Sequence, residues 1–264
     1  GLSPSADLRV VNSTATGDVD GDDSVGGLVG TVSKGDIIAS TASGAVDADG
    51  ATAGGLVGEF MTTGATKTYS IANSSASGAV NAASNGGGLV GETQDSIIEN
   101  STASGDTTVT EGFAGGLVAQ LVAGTDVVDS SATGDVSANE SYVGGLVGRV
   151  GEGNITDSDA SGEVTVTGGS GFTSAEYIGG LAGGVESGSV TDSHASGEVT
   201  LVAGSGSGKF ARVGGLIGNF GGSFGPGSSD FDGTLENSSA SGDVTGPTIV
   251  GGLVGESAGS ITDS

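Results

Sequence analysis

An all-β parallel solenoid is the fold class this sequence predicts. Three observations predict it: a Gly-Gly-Leu-Val-Gly pentapeptide that returns eight times in phase, a second segment that alternates with it, and a shortest repeat of 28 residues, from Leu28 to Leu56. Leu28, Leu56, Leu89, Leu117, Leu146, Leu181, Leu216 and Leu253 mark the first motif. A repeat of that size holds about three strands of ~5 residues with their connections. A four-stranded propeller blade needs ~40 residues or more. No stretch places apolar residues at helical spacing, and glycine is too dense for helices. The expected architecture is therefore one domain over residues 1–264: a β-helix with about three strands per coil and roughly eight coils. Its expected hand is right, the default for parallel crossovers. The longer repeats are expected to carry their extra residues at coil corners.

Each element has its own signal. The second segment reads Asn/Asp-Ser-x-Ala-Ser/Thr-Gly-x-Val, as from Asn73 to Val80 and from Asp129 to Val136. Strand alternation assigns its faces. With the valine inside, the glycine, the alanine and the first serine also point inward, and all are small. The residues between them point outward and form two hydroxyl columns. Members include Thr14, Thr41, Ser75, Thr102 and Ser131 in one, and Thr16, Ser43, Ser77, Ser104 and Thr133 in the other. Asp159 and His194 interrupt the first column. The Asx position is expected at a corner, where left-handed backbone is tolerated. The leucines are expected to form one buried column. The apolar residue after each of them, Val147 for example, would then point the other way and offer a stripe for self-association. The residue before the segment's valine is acidic in six of eight copies, as Asp18, Asp106, Asp135, Glu163, Glu198 and Asp243. These are expected to form one outward column that salt stabilises.

The Gly-Gly-Leu-Val-Gly copies, each paired with a Ser-x-Ala-Ser-Gly segment, resemble the GLUG-motif repeats of bacterial and archaeal surface proteins. Such repeats also accompany immunoglobulin-A-cleaving metallopeptidases. Ala119 and Ala182 depart from the pattern. The resemblance covers nearly the whole chain. It implies an extracellular, repetitive, non-catalytic module and carries no catalytic residue with it.

Composition narrows the function. The 32 acidic residues face 6 basic ones, a formal net charge of −26. A nucleic-acid partner would need the opposite sign, and an anionic membrane would repel this surface. No apolar run approaches the ~18 residues of a membrane span. Such a charge fits a salt-adapted organism or the binding of divalent cations. The chain opens without Met and closes on Ile261-Thr262-Asp263-Ser264, the start of another repeat, as a piece of a longer surface protein would.

His194 is the sole histidine, so a His-Glu-x-x-His zinc site is absent. Gly221-Gly222-Ser223-Phe224-Gly225 matches a nucleophile elbow by letters alone, because no strand-turn-helix context surrounds it. Gly204 to Lys209 lacks the Ser/Thr and the helix of a phosphate loop. Asp18, Asp20 and Asp22 alternate as the opening of a calcium loop does, without the closing glutamate; calcium is the one cofactor the sequence suggests. Insertions from Thr165 to Tyr177 and from Thr200 to Arg212 would bring Phe172, Tyr177, Lys209, Phe210 and Arg212 together as a patch for a saccharide or protein partner. Six Asn-x-Ser/Thr sequons, at Asn12, Asn73, Asn100, Asn139, Asn154 and Asn237, permit glycosylation outside the cell.

The expected function is a non-catalytic secreted or cell-surface module: a stalk, adhesin segment or filament subunit. Its partners would be copies of itself, another surface protein or a polysaccharide. Ice or mineral binding through the hydroxyl columns is one alternative, and carbohydrate binding through the corner loops is the other.

Overall fold

The structure is a computed structural model and describes residues 7–50, 52–62, 68–139, 141–167, 176–202, 211–221, 231 and 233–264. Every strand among them pairs in parallel with its counterpart one coil away, and five sheets run the length of the molecule. We call them A to E in chain order. In the fifth coil they contain Asp126–Val128 (A), Ser131–Ala132 (B), Val136–Ala138 (C), Tyr142–Gly144 (D) and Val147–Val150 (E). Sheets B to E have eight strands each. Sheet A has nine, because Ser260–Thr262 begins a further coil. The molecule is a parallel β-solenoid of eight coils, and no helix occurs among the described residues.

Each coil has five short strands where the spacing suggested about three. The repeat length is as expected, but single residues break the sides. Between sheets A and B the backbone passes through the left-handed region at Asn12, Asn73, Asn100, Asp129, Asp157, Asp192 and Asn237, with φ from 47° to 51°. Asparagine and aspartate reach that region at the least cost after glycine. Ala39 adopts it too, at φ 49°. Between sheets D and E the chain bends at the Gly-Leu pair, as at Gly145-Leu146.

That bend overturns the expected apolar stripe. It resets the alternation, so the leucine and the residue after it both enter the interior. Leu146 and Val147 are fully buried in one cluster, as are Leu56 with Val57 and Leu216 with Ile217. From Val57 to Ile217 this column is core, and its end members, Val29 and Val254, are partly buried.

The interior has two lobes. One holds the leucine column, the isoleucines and valines of sheet A, the alanines of sheet B and the apolar residues of sheet E. The other holds the inward valines and alanines of sheets C and D. Glycine makes the waist between them. A Cβ on Gly145 would lie 2.2 Å from the carbonyl oxygen of Gly180 and 3.2 Å from the Cβ of Ala160. No larger side chain fits between the walls.

The segment's first serine supplies a further ladder inside the coil. Ser130 and Ser158 are buried. The Ser130 hydroxyl donates to the Val128 carbonyl at 2.8 Å and accepts the Ser101 N–H at 3.1 Å. The Ser158 hydroxyl treats Thr156 and the Ser130 N–H in the same way. The pattern runs from Ser13 to Ser264. The left-handed corner turns each serine N–H away from the carbonyl ladder of the sheet, and the next coil's hydroxyl takes it.

Candidate functional site

Sheet B presents its hydroxyls as alternation requires. Thr14, Thr16, Thr41, Ser43, Ser77, Thr102, Ser104 and Thr133 are exposed, and Ser75 and Ser131 are partly exposed. In-register pairing stacks Thr14 on Thr41, Thr41 on Ser75 and Thr102 on Ser131. Thr41 donates to the Thr14 hydroxyl at 3.2 Å. Asp159 and His194 sit in the same column, and the His194 Nδ1 lies 2.9 Å from the Ser239 hydroxyl. His194 is an exposed surface side chain.

The acidic column also lies outside. Asp18, Asp106, Asp135, Glu163, Glu198 and Asp243 are all exposed. Several of these carboxylates accept the backbone N–H one coil further on. Asp106 takes that of Asp135 at 3.0 Å, Asp135 that of Glu163 at 2.8 Å, and Asp18 that of Ala45 at 2.8 Å. The column is thus a set of caps on strand ends as well as a line of like charges.

The candidate calcium ligands do not converge. Asp18 is engaged with Ala45, and Asp20 and Asp22 are exposed. Among the described residues no three His, Cys, Asp or Glu side chains are gathered closely enough to hold a metal ion. Alternation on one short strand spreads such side chains along it.

The aromatic patch takes a different form from the one expected. Phe172, Lys209 and Phe210 lie outside the described residues. Tyr177 is only 8% exposed. It packs against Tyr142 with ring centroids 4.6 Å apart and planes tilted by 51°, and the Arg212 guanidinium lies 5.2 Å from its centroid. Phe113 meets Tyr142 edge-on at 5.4 Å. Arg149 lies over both of these rings and pairs with Glu186 through two hydrogen bonds, of 2.8 and 2.5 Å. Tyr142 donates to Glu186 at 3.1 Å, and Arg212 pairs with Glu256. Burial pushes the Tyr142 phenol well above its usual pKa, with Glu186 adding to the rise.

These side chains fill an outer notch between sheets D and E. Phe113, Tyr142, Tyr177 and Arg212 hold one register position in sheet D. Gln120, Arg149, Gly184, Asn219 and Glu256 hold one position in sheet E. A Cβ on Gly184 would strike the Tyr142 ring at 2.7 Å. The sequence reading missed this assembly, although its signal was present: each sheet D member stands four residues before a repeat leucine. Towards coil 2 the same sheet E position holds Glu92 and Glu59 on adjacent strands. Burial raises the pKa of Glu92, and Glu59 adds to the rise while Arg149 opposes it.

Five in-register sheets, a stacked corner and an exterior of hydroxyls and carboxylates define a repeat module of the parallel solenoid class. The GLUG motif matches this chain at residues 82–110, 139–167 and 174–200. The chain thus carries GLUG-motif repeats. The first two matches each run from the end of one sheet C strand through the next, a full turn of the solenoid. No curated protein and no solved structure matches the chain.

Proposed function

We propose that this solenoid is a non-catalytic structural module displayed outside the cell of a salt-adapted prokaryote, where it acts as a stiff spacer or adhesive segment. One observation carries the reading: the five sheets keep parallel, coil-to-coil pairing through all eight coils. A stack in which each repeat contacts only its neighbours is a rod by construction. Eight coils extend it by about 38 Å at ~4.8 Å per coil. The acidic exterior suits a high-salt surrounding, where screening acts over a few Å. The family resemblance points to the same setting. Its partners in this reading are further copies, another surface protein or a neutral polysaccharide.

Protease shaving of intact cells tests the location. Release of peptides from this chain before any cytoplasmic marker supports the proposal, and protection until lysis contradicts it. Ice or mineral binding is a second reading, favoured by the two exposed hydroxyl columns of sheet B. Thermal hysteresis that disappears in a Thr41→Val, Thr102→Val variant would establish it in place of the first.

A further inference from the structure

The corner between sheets A and B needs a residue in the left-handed region, and Ala39 meets that need with no polar side chain. Asparagine is therefore not required at the corner. Asn12, Asn73, Asn100 and Asn237 stand there nonetheless, exposed and, among the described residues, without a side-chain hydrogen bond. The choice between asparagine and aspartate follows the outward residue two places on. That residue is Thr14, Ser75, Thr102 or Ser239 beside the asparagines. It is Asp159 or His194 beside Asp157 and Asp192, while Asp129 with Ser131 departs from the rule.

Asn154 also heads a sequon, but its amide is committed. Its Nδ2 donates to the Asp126 carboxylate at 2.9 Å, and its Oδ1 accepts the Ser189 N–H at 3.0 Å. Its backbone N–H bonds the same Asp126 oxygen at 3.0 Å. One of that nitrogen's two hydrogens holds a rung of the corner between sheets E and A, so a sugar replacing the other would have to fit beside that rung.

We propose that the left-handed corner is an N-glycan attachment face, used at Asn12, Asn73, Asn100 and Asn237, and that the sequon at Asn154 is passed over in the folded chain. The donor is an oligosaccharide carried on a polyprenyl phosphate or diphosphate. The asparagine Nδ2 attacks the anomeric carbon and a C–N bond forms. The bond from that carbon to the phosphate oxygen breaks, the lipid phosphate leaves, and the amide proton passes to a base of the oligosaccharyltransferase. The inference rests on display outside the cell, as proposed above, because the glycan is added there or on the way there. At the corner the sugar projects into solvent and displaces no hydrogen bond of the coil.

The test is glycopeptide mass spectrometry on the full chain exported from yeast, taken from the soluble, folded fraction. The expected result is glycan on peptides carrying the four corner asparagines and a bare Asn154. An Asn73→Asp variant should lose its own glycan and keep its melting temperature, since Asp129 holds the same conformation. Bare corner asparagines on folded, exported protein overturn the proposal. Equal occupancy at Asn154 overturns the selectivity it assigns. Export is imposed by the host, so either failure leaves the native location to be decided by cell shaving alone.

Discussion

Replacing Ser130 with alanine removes one hydroxyl and breaks two contacts of the buried ladder. The Ser101 N–H loses the acceptor it holds at 3.1 Å, and the Val128 carbonyl loses a donor at 2.8 Å. Ser101 is fully buried and Ser130 is 3% exposed, so water cannot readily replace the lost partner. An orphaned buried donor costs about 1–3 kcal/mol. The missing oxygen leaves only a small void, so the hydrogen bonds set the scale. Ser131, the next residue, points outward. Its change to alanine should fall within about 0.5 kcal/mol of wild type. Urea unfolding compares the pair. Ser130→Ala should lower the midpoint with an unchanged slope, while Ser131→Ala should not. Equal midpoints for the two variants would refute the ladder as a source of stability.

Other consequences are as direct. Ala39→Asn should stabilise the fold by about 1 kcal/mol, because alanine pays ~1–2 kcal/mol for left-handed backbone; thermal unfolding at fixed salt reads it. Gly145→Ala should prevent folding or cost several kcal/mol, since its Cβ would sit 2.2 Å from a backbone oxygen, whereas Gly17→Ala meets nothing within 4 Å and should be silent in the same circular-dichroism melt. Glu92 has a raised folded pKa, so the folded state binds the extra proton between the unfolded and folded values. Stability from this group is therefore full below its unfolded pKa and lost as pH rises through the folded one, and Glu92→Gln should raise the melting temperature at pH 7 and flatten that dependence. The exposed acidic column predicts a melting temperature that climbs between ~10 mM and ~1 M NaCl, as the Debye length shrinks from ~30 to ~3 Å.

Much of this molecule was legible because a solenoid writes its fold in one repeating line. The phase of Leu146 and its equivalents marked the buried column, and the segment from Asp129 to Val136 showed which residues face out. The Asx corner was legible from residue type alone. The strand count was not, because a single left-handed residue or a Gly-Leu bend ends a strand without altering the repeat length. The same bend hid the burial of Val147, since period-two alternation fails across it. The serine ladder was read as a column of small residues. Its hydrogen bonds depend on how the corner rotates the Ser130 N–H, which no spacing reveals. The notch of Phe113, Tyr142 and Tyr177 was legible in phase, but the insertions drew attention to neighbouring loop residues instead. Asp18, Asp20 and Asp22 looked like ligands by spacing, whereas in three dimensions Asp18 caps the backbone of the next coil.

The central claim is that each repeat adds one coil in register with the last. The chain has no cysteine, so pairs of introduced cysteines carry spin labels cleanly. Outward positions of sheet B supply the ruler, with Thr41 in the second coil, Asp159 in the sixth and Ser239 in the eighth. Pulsed electron–electron resonance should place labels at 41 and 159 about 19 Å apart, and labels at 41 and 239 about 29 Å apart, growing by ~4.8 Å per coil. Distances that fail to grow with coil number would contradict the solenoid and every column assigned to it.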